Sequence, residues 1–237
     1  KTPCNVIWRF EADEDLEVVH LGEPIPLIQV LQKHSGVVIL GDPGAGKTTF
    51  LKYLALCLAR GEGKKIGLND YLPIILPLAA FANALQTRDI RLDDFIAEYF
   101  EGIGADLPIA SMLKEALNAG RALILLDGLD EVRDINLRNT VVERVVDFFA
   151  FHRRQGNKFV LTSRVVGYRA VRPSTEDLVE CTIVDFEEDE IEEFVGHWTS
   201  AIEKQAQGNT AVARADAETD RRELLDAIQQ NPGVRQL

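Results

Sequence analysis

Short apolar runs alternate with amphipathic stretches along most of this chain. The runs are Val37–Leu40, Leu72–Leu78, Ala122–Asp127, Lys158–Ser163 and Val179–Val184. Each is about one strand long and most are rich in Val, Ile or Leu, which predicts buried strands. Between them, Lys47–Arg60, Leu92–Phe100, Ile109–Ala119 and Leu137–Arg153 repeat their apolar residues at helical spacing. Strand and helix in this alternation predict an α/β fold, with a central parallel sheet covered by helices on both faces. The longest uncharged stretch, Tyr71–Thr87, is interrupted by Pro73, Pro77 and Asn83. It reads as a buried strand leaving into a loop, and it is short for a membrane span. Gly61–Gly67 reads as a surface loop.

After Val184 the strand signal stops. Ile191, Phe194, Val195 and Trp198 recur at helical spacing, with Trp198 read as core packing, and Leu224, Leu225 and Ile228 mark a later helix. The expected organisation is a lead-in linker over 1–35, suggested by Pro24 and Pro26, a nucleotide-binding domain over 36–185, and the beginning of an all-helical domain over 186–237. The abrupt start at Lys1 and stop at Leu237 suggest a piece of a longer protein.

One segment carries specific chemistry. GDPGAGKTT comprises Gly41, Asp42, Pro43, Gly44, Ala45, Gly46, Lys47, Thr48 and Thr49, and it fits G-x-x-x-x-G-K-[ST] between a predicted strand and a predicted helix. Glycines let such a loop fold tightly, so that successive N–H groups face a phosphate. The positive end of the following helix then adds to the attraction. Lys47 is expected on the β- and γ-phosphates, and the Thr48 hydroxyl on Mg²⁺.

A second segment, ALILLDGLDEV, runs from Ala122 to Val132 and puts Asp127 at a strand end. Paired with a phosphate loop, that aspartate is expected on the metal. Asp130 and Glu131 follow closely. Either one is a candidate to polarise the attacking water, and an exposed helix-capping turn is the plainer alternative. A strand between the two motifs in sequence predicts the additional-strand arrangement, in which the later strand Phe159–Thr162 separates the phosphate-loop strand from the acidic one. NKFVLTSR then brings Thr162, Ser163 and Arg164 to the end of that middle strand, facing the ligand. Arg164 is a candidate sensor of the γ-phosphate.

GDPGAGKTTF, LILLDGLDEV and VLTSR together resemble the NACHT family of STAND signalling NTPases. The likeness runs from about Val37 to Leu237. It includes a small residue, Gly128, after the aspartate, with acidic residues three and four positions beyond it. YLPIILPLAAFA and VDFEEDEIEEFVGHW resemble the family's second strand and its lead into the first helical domain. The resemblance implies a switch that rests closed with ADP, exchanges it for ATP, hydrolyses slowly, and self-associates to activate an attached effector. Many such proteins serve innate immunity, cell death or anti-phage defence. The family's adenine-packing proline is expected slightly beyond Pro232, and its effector and sensor domains outside this sequence.

Composition narrows the alternatives. The net charge of −12 disfavours nucleic-acid binding, and Arg153, Arg154 and Lys158 are the nearest approach to a basic patch. This weighs against a nucleic-acid translocase. A steady-turnover AAA+-like ATPase and a non-hydrolysing scaffold remain as alternatives to the switch. No base-reading motif separates ATP from GTP, and ATP follows from the resemblance. Three widely spaced cysteines, Cys4, Cys57 and Cys181, read as free thiols of a reducing cytoplasm. No signal peptide or membrane span is visible.

Overall fold

The computed structural model describes residues 7–9, 25–104, 107–173, 175 and 178–231. The chain divides into two compact units, Lys1–Val184 and Asp185–Leu237.

The first unit is built on β1 (Ile7–Arg9), β2 (Ile25–Pro26), β3 (Gly36–Leu40), β4 (Leu72–Pro77), β5 (Ala122–Asp127), β6 (Lys158–Ser163) and β7 (Leu178–Ile183). They form one sheet in the order β2-β1-β7-β3-β6-β5-β4. The five strands from β7 to β4 are parallel. β6 therefore lies between β3 and β5, which is the additional-strand arrangement. β1 and β2 extend the β7 edge in antiparallel sense.

Alternation along each strand makes the layers. Val38, Leu40, Ile124, Leu126, Phe159 and Leu161 enter one core. Val37, Ile39, Leu123, Leu125 and Val160 enter the other. This is the period-two consequence of the pleat. Helices α1 (Leu27–Lys33) and α2 (Lys47–Ala59) cover the second face. The first is covered by α3 (Leu78–Leu85), α4 (Leu92–Gly102), α5 (Ile109–Asn118) and α6 (Ile135–His152). Pro73 and Pro77 are tolerated in β4 because it is the outermost parallel strand.

Three readings of the sequence change here. Residues 25–33 were expected within a linker, but they form β2 and α1, and Leu27, Val30 and Leu31 are buried. The stretch after Pro77, expected as a loop, is helix α3, which buries Leu78, Phe81 and Ala82 at helical spacing. The surface loop 61–67 contains a 3-10 turn, Gly63–Ile66, that sends Ile66 into the core.

Two polar side chains knit the lower end of the sheet. Asn157 is fully buried. Its Oδ1 accepts from the Ala122 N–H at 3.0 Å, and its Nδ2 donates to the carbonyls of Leu117 and His152, each at 2.9 Å. Lys158 Nζ donates to the carbonyls of Leu31 at 2.5 Å and His34 at 3.1 Å, capping the C-terminal end of α1. The lysine noted as part of a basic patch is thus occupied in closing a helix.

The second unit contains α8 (Glu188–Gln207) and α9 (Ala211–Gln230), which pack on each other. Glu187 and Glu190 form a reciprocal capping box that starts α8, and Thr210 caps α9. The residues buried are small or narrow: Val195, Thr199, Ala213 and Ala217. Trp198, expected in the core, is instead 54% exposed and stacked on Phe194. Val195 and Thr199 form the inward stripe of the helix, and Trp198 stands at the edge of that stripe beside Phe194. Among the described residues no helix is long and apolar enough to cross a membrane.

Candidate nucleotide-binding site

The loop 41–46 joins β3 directly to α2. Gly44 and Gly46 have φ of +86° and +84°, left-handed conformations that side chains resist. The Ala45 N–H closes a turn on the Asp42 carbonyl at 3.2 Å. No acidic residue lies in the first turn of α2 and no side chain caps it. Its leading N–H groups therefore carry positive potential toward the loop. Thr48 and Thr49 are exposed there.

Lys47 is half-buried and folds back over the loop. Its Nζ donates to the carbonyls of Gly41 at 2.7 Å and Asp42 at 2.8 Å. Burial holds its pKa below the ordinary lysine value. The charges that act on it are those of Asp130, Arg164, Asp42 and Asp127. The phosphate loop, the acidic strand end and the middle strand end therefore converge on one place, at the C-terminal edge of the parallel strands.

Thr162 organises that place from the middle strand. Its buried hydroxyl accepts from the Gly128 N–H at 2.9 Å, which orients its own proton toward Asp127 Oδ1 at 2.6 Å. One oxygen of Asp127 is thereby fixed, and the carboxylate cannot swing freely. Gly128 has φ +75°, and a Cβ on it would meet Glu131 Cδ at 2.8 Å. The left-handed backbone is what calls for glycine, since the exposed glutamate could swing aside from a Cβ.

The reversal leads into a 3-10 turn, Leu129–Glu131. Asp130 then meets Arg164, which precedes the short helix α7 (Val165–Arg169). The Arg164 N–H donates to Asp130 Oδ1 at 3.0 Å, and Arg164 Nε reaches Asp130 Oδ2 at 2.9 Å. Side-chain exposure is 13% for Asp130 and 55% for Arg164. The two candidate carboxylates thus differ. Both oxygens of Asp130 are engaged by Arg164, while Glu131 is exposed.

Arg138, on α6, was missed from the sequence. It donates from Nε to the Val132 carbonyl at 2.8 Å, from Nη1 to Gly167 at 3.2 Å, and from Nη2 to Asp130 at 3.4 Å. Nothing in the local sequence separates it from an ordinary solvated helix arginine. Pro232 lies outside the described residues.

Among the described residues no group of three or more His, Cys, Asp or Glu side chains is arranged to hold a metal. Thr48 and Asp127 are hard oxygen donors, and this sparse set suits Mg²⁺, which takes few protein ligands and completes its shell with phosphate and water. No curated protein matches the chain. The family model of the NACHT domain matches residues 35–202, more than half of the sequence. With its phosphate loop, acidic strand end and five-stranded parallel sheet in place, this chain belongs to the NACHT family and is a nucleotide-binding P-loop NTPase.

Proposed function

We propose that this chain is a nucleotide-controlled switch that binds Mg-ATP or Mg-ADP and hydrolyses ATP slowly. The observation that carries this reading is the Asp130–Arg164 pair beside the phosphate loop. In it, the sensor candidate is held by a carboxylate of the protein itself. A γ-phosphate offers the guanidinium a stronger, more highly charged partner, and a diphosphate does not. Nucleotide state is thereby coupled to the position of Arg164 and of α7, which follows it.

In this reading Lys47 exchanges its two carbonyl partners for the β- and γ-phosphates, with the loop N–H groups of 41–49 around them. Thr48 and Asp127 would hold Mg²⁺, which would supply charge neutralisation to the reacting phosphates. Of the two candidate carboxylates, Glu131 is proposed to orient water, because Asp130 is engaged by Arg164. Slow turnover, self-association in the ATP state, and a role in immunity or anti-phage defence are proposed from the family, with effector and sensor domains lying outside this chain. GTP would be met by the same phosphate contacts.

The test is to denature the purified protein and identify the nucleotide it releases. Stoichiometric ADP supports the switch. An empty site combined with rapid, sustained ATP turnover overturns it in favour of a motor-like ATPase. Glu131→Gln is expected to keep nucleotide affinity and slow single-turnover hydrolysis by about a hundredfold. Unchanged hydrolysis in that variant would remove Glu131 from the chemistry.

A further inference from the structure

The Asp130–Arg164 pair is held from behind. Asp130 sits on a three-residue turn following a left-handed glycine, and Arg164 sits at the start of a five-residue helix. Neither element is long enough to hold its own position firmly. Arg138 joins them. Its guanidinium reaches two carbonyls of the acidic turn, Asp130 and Val132, and one of α7, Gly167. A planar fork reaches three carbonyls on two elements from three separate nitrogens in a fixed geometry, whereas an ammonium would have to gather all three around one atom on a flexible stem. The approach is also close. A Cβ at Gly167 would come within 2.7 Å of Asp130 Cβ, so the lack of a side chain lets the turn rest against α7.

We propose that Arg138 is a positioning residue for the nucleotide site: it keeps Asp130 closed on Arg164 and so sets how readily ATP, rather than ADP, captures Arg164. The inference rests on the switch reading above and adds the element that sets its threshold. Opening the Asp130–Arg164 pair is a cost that ATP binding meets and ADP binding does not. Whatever weakens the closed pair lowers that cost and raises apparent ATP affinity alone.

Five single variants and one double variant test this. ADP and a non-hydrolysable ATP analogue are titrated by calorimetry into the purified chain with Mg²⁺. Arg138→Ala is expected to raise the ATP-over-ADP affinity ratio by about tenfold, with ADP affinity within about twofold of the parent. Asp130→Asn, which keeps the shape and removes the charge, should shift the ratio in the same direction. Arg138→Lys, which retains the charge but only one donor nitrogen, should fall between parent and Arg138→Ala, and it preserves the test if the alanine variant does not fold. In the Arg164→Ala background the Arg138→Ala effect should vanish, because the pair it supports no longer exists. Equal weakening of both nucleotides, or a ratio shift that persists without Arg164, would overturn the proposal and leave Arg138 a purely structural residue. Lys47→Ala in the same titration separates the two levels. If it binds like the parent, the phosphate-loop reading itself fails. If it does not bind and Arg138→Ala leaves the ratio unmoved, only the positioning role falls.

Discussion

Lys47→Ala is expected to abolish measurable nucleotide binding while leaving the fold intact. The ammonium is the one lysine of the phosphate loop, and it is already partly desolvated. Truncating one partner of a desolvated, hydrogen-bonded charge pair costs about 3 kcal/mol or more, which is a loss of about a hundredfold or greater in affinity. Stability should not follow affinity downward. The pKa of Lys47 is lowered, and burial is the main cause. For a lysine, a folded-state value below the ordinary one means that the charged form opposes folding at neutral pH. Unfolding releases that ammonium into water, so its charge adds no stability, and the two carbonyl contacts are the support that the deletion removes. Calorimetric titration of ADP checks the first half, and a thermal melt without nucleotide checks the second. Parent-like affinity would refute the assignment. A large fall in melting temperature would show that the lysine's contacts to the Gly41 and Asp42 carbonyls hold the loop together.

The largest effect on stability is expected far from the nucleotide, at Asn157. Its amide satisfies an N–H of β5 and two carbonyls at the ends of α5 and α6, all beyond the reach of water. Asn157→Ala strands the Ala122 N–H and the His152 carbonyl, while the Leu117 carbonyl keeps the Gly120 N–H, and each buried orphan costs on the order of 1 kcal/mol or more. A total loss of about 3 kcal/mol is expected, lowering the melting temperature by roughly 6–12 °C for a domain of this size. Asn157→Asp tests the cause. It preserves the acceptor for Ala122 but removes the donor to Leu117 and His152, so it should be no better tolerated than alanine. If either variant melts with the parent, the three contacts contribute little, and β5 is held by its ladders alone.

The part of the site that was legible in the sequence is the part built from consecutive residues. Gly41 to Thr49 form a local structure whose shape depends on glycines at fixed spacing between a strand and a helix, so their roles can be argued without the rest of the molecule. Asp127 was legible for a related reason: five apolar residues deliver it to a strand end. Asp130 and Glu131 looked interchangeable because both follow that strand. Only contact with Arg164, thirty-four positions away, sets them apart. Thr162 was seen as a residue facing the ligand, but its hold on Asp127 and Gly128 depends on β6 lying directly beside β5. Arg138 carried no signal at all, since its partners lie on the acidic turn and on α7 and it contacts only their backbone carbonyls.

The same division runs through the fold. Periodicity located the five parallel strands and four of the covering helices, because each buries its apolar residues at its own repeat. It missed α1 and α3, whose short apolar patterns sit beside prolines and read as linker and loop. The sequence by itself determined the class of fold, the phosphate loop and the carboxylate that faces it. The tertiary structure alone decided the contact of Arg164 with Asp130, the arginine that clamps them, and the exposure of Trp198. The physical reason is range. Backbone conformation and amphipathic faces are set by neighbours within a turn or a pleat, whereas a hydrogen bond between two loops exists only after the sheet has placed both of them at the same edge.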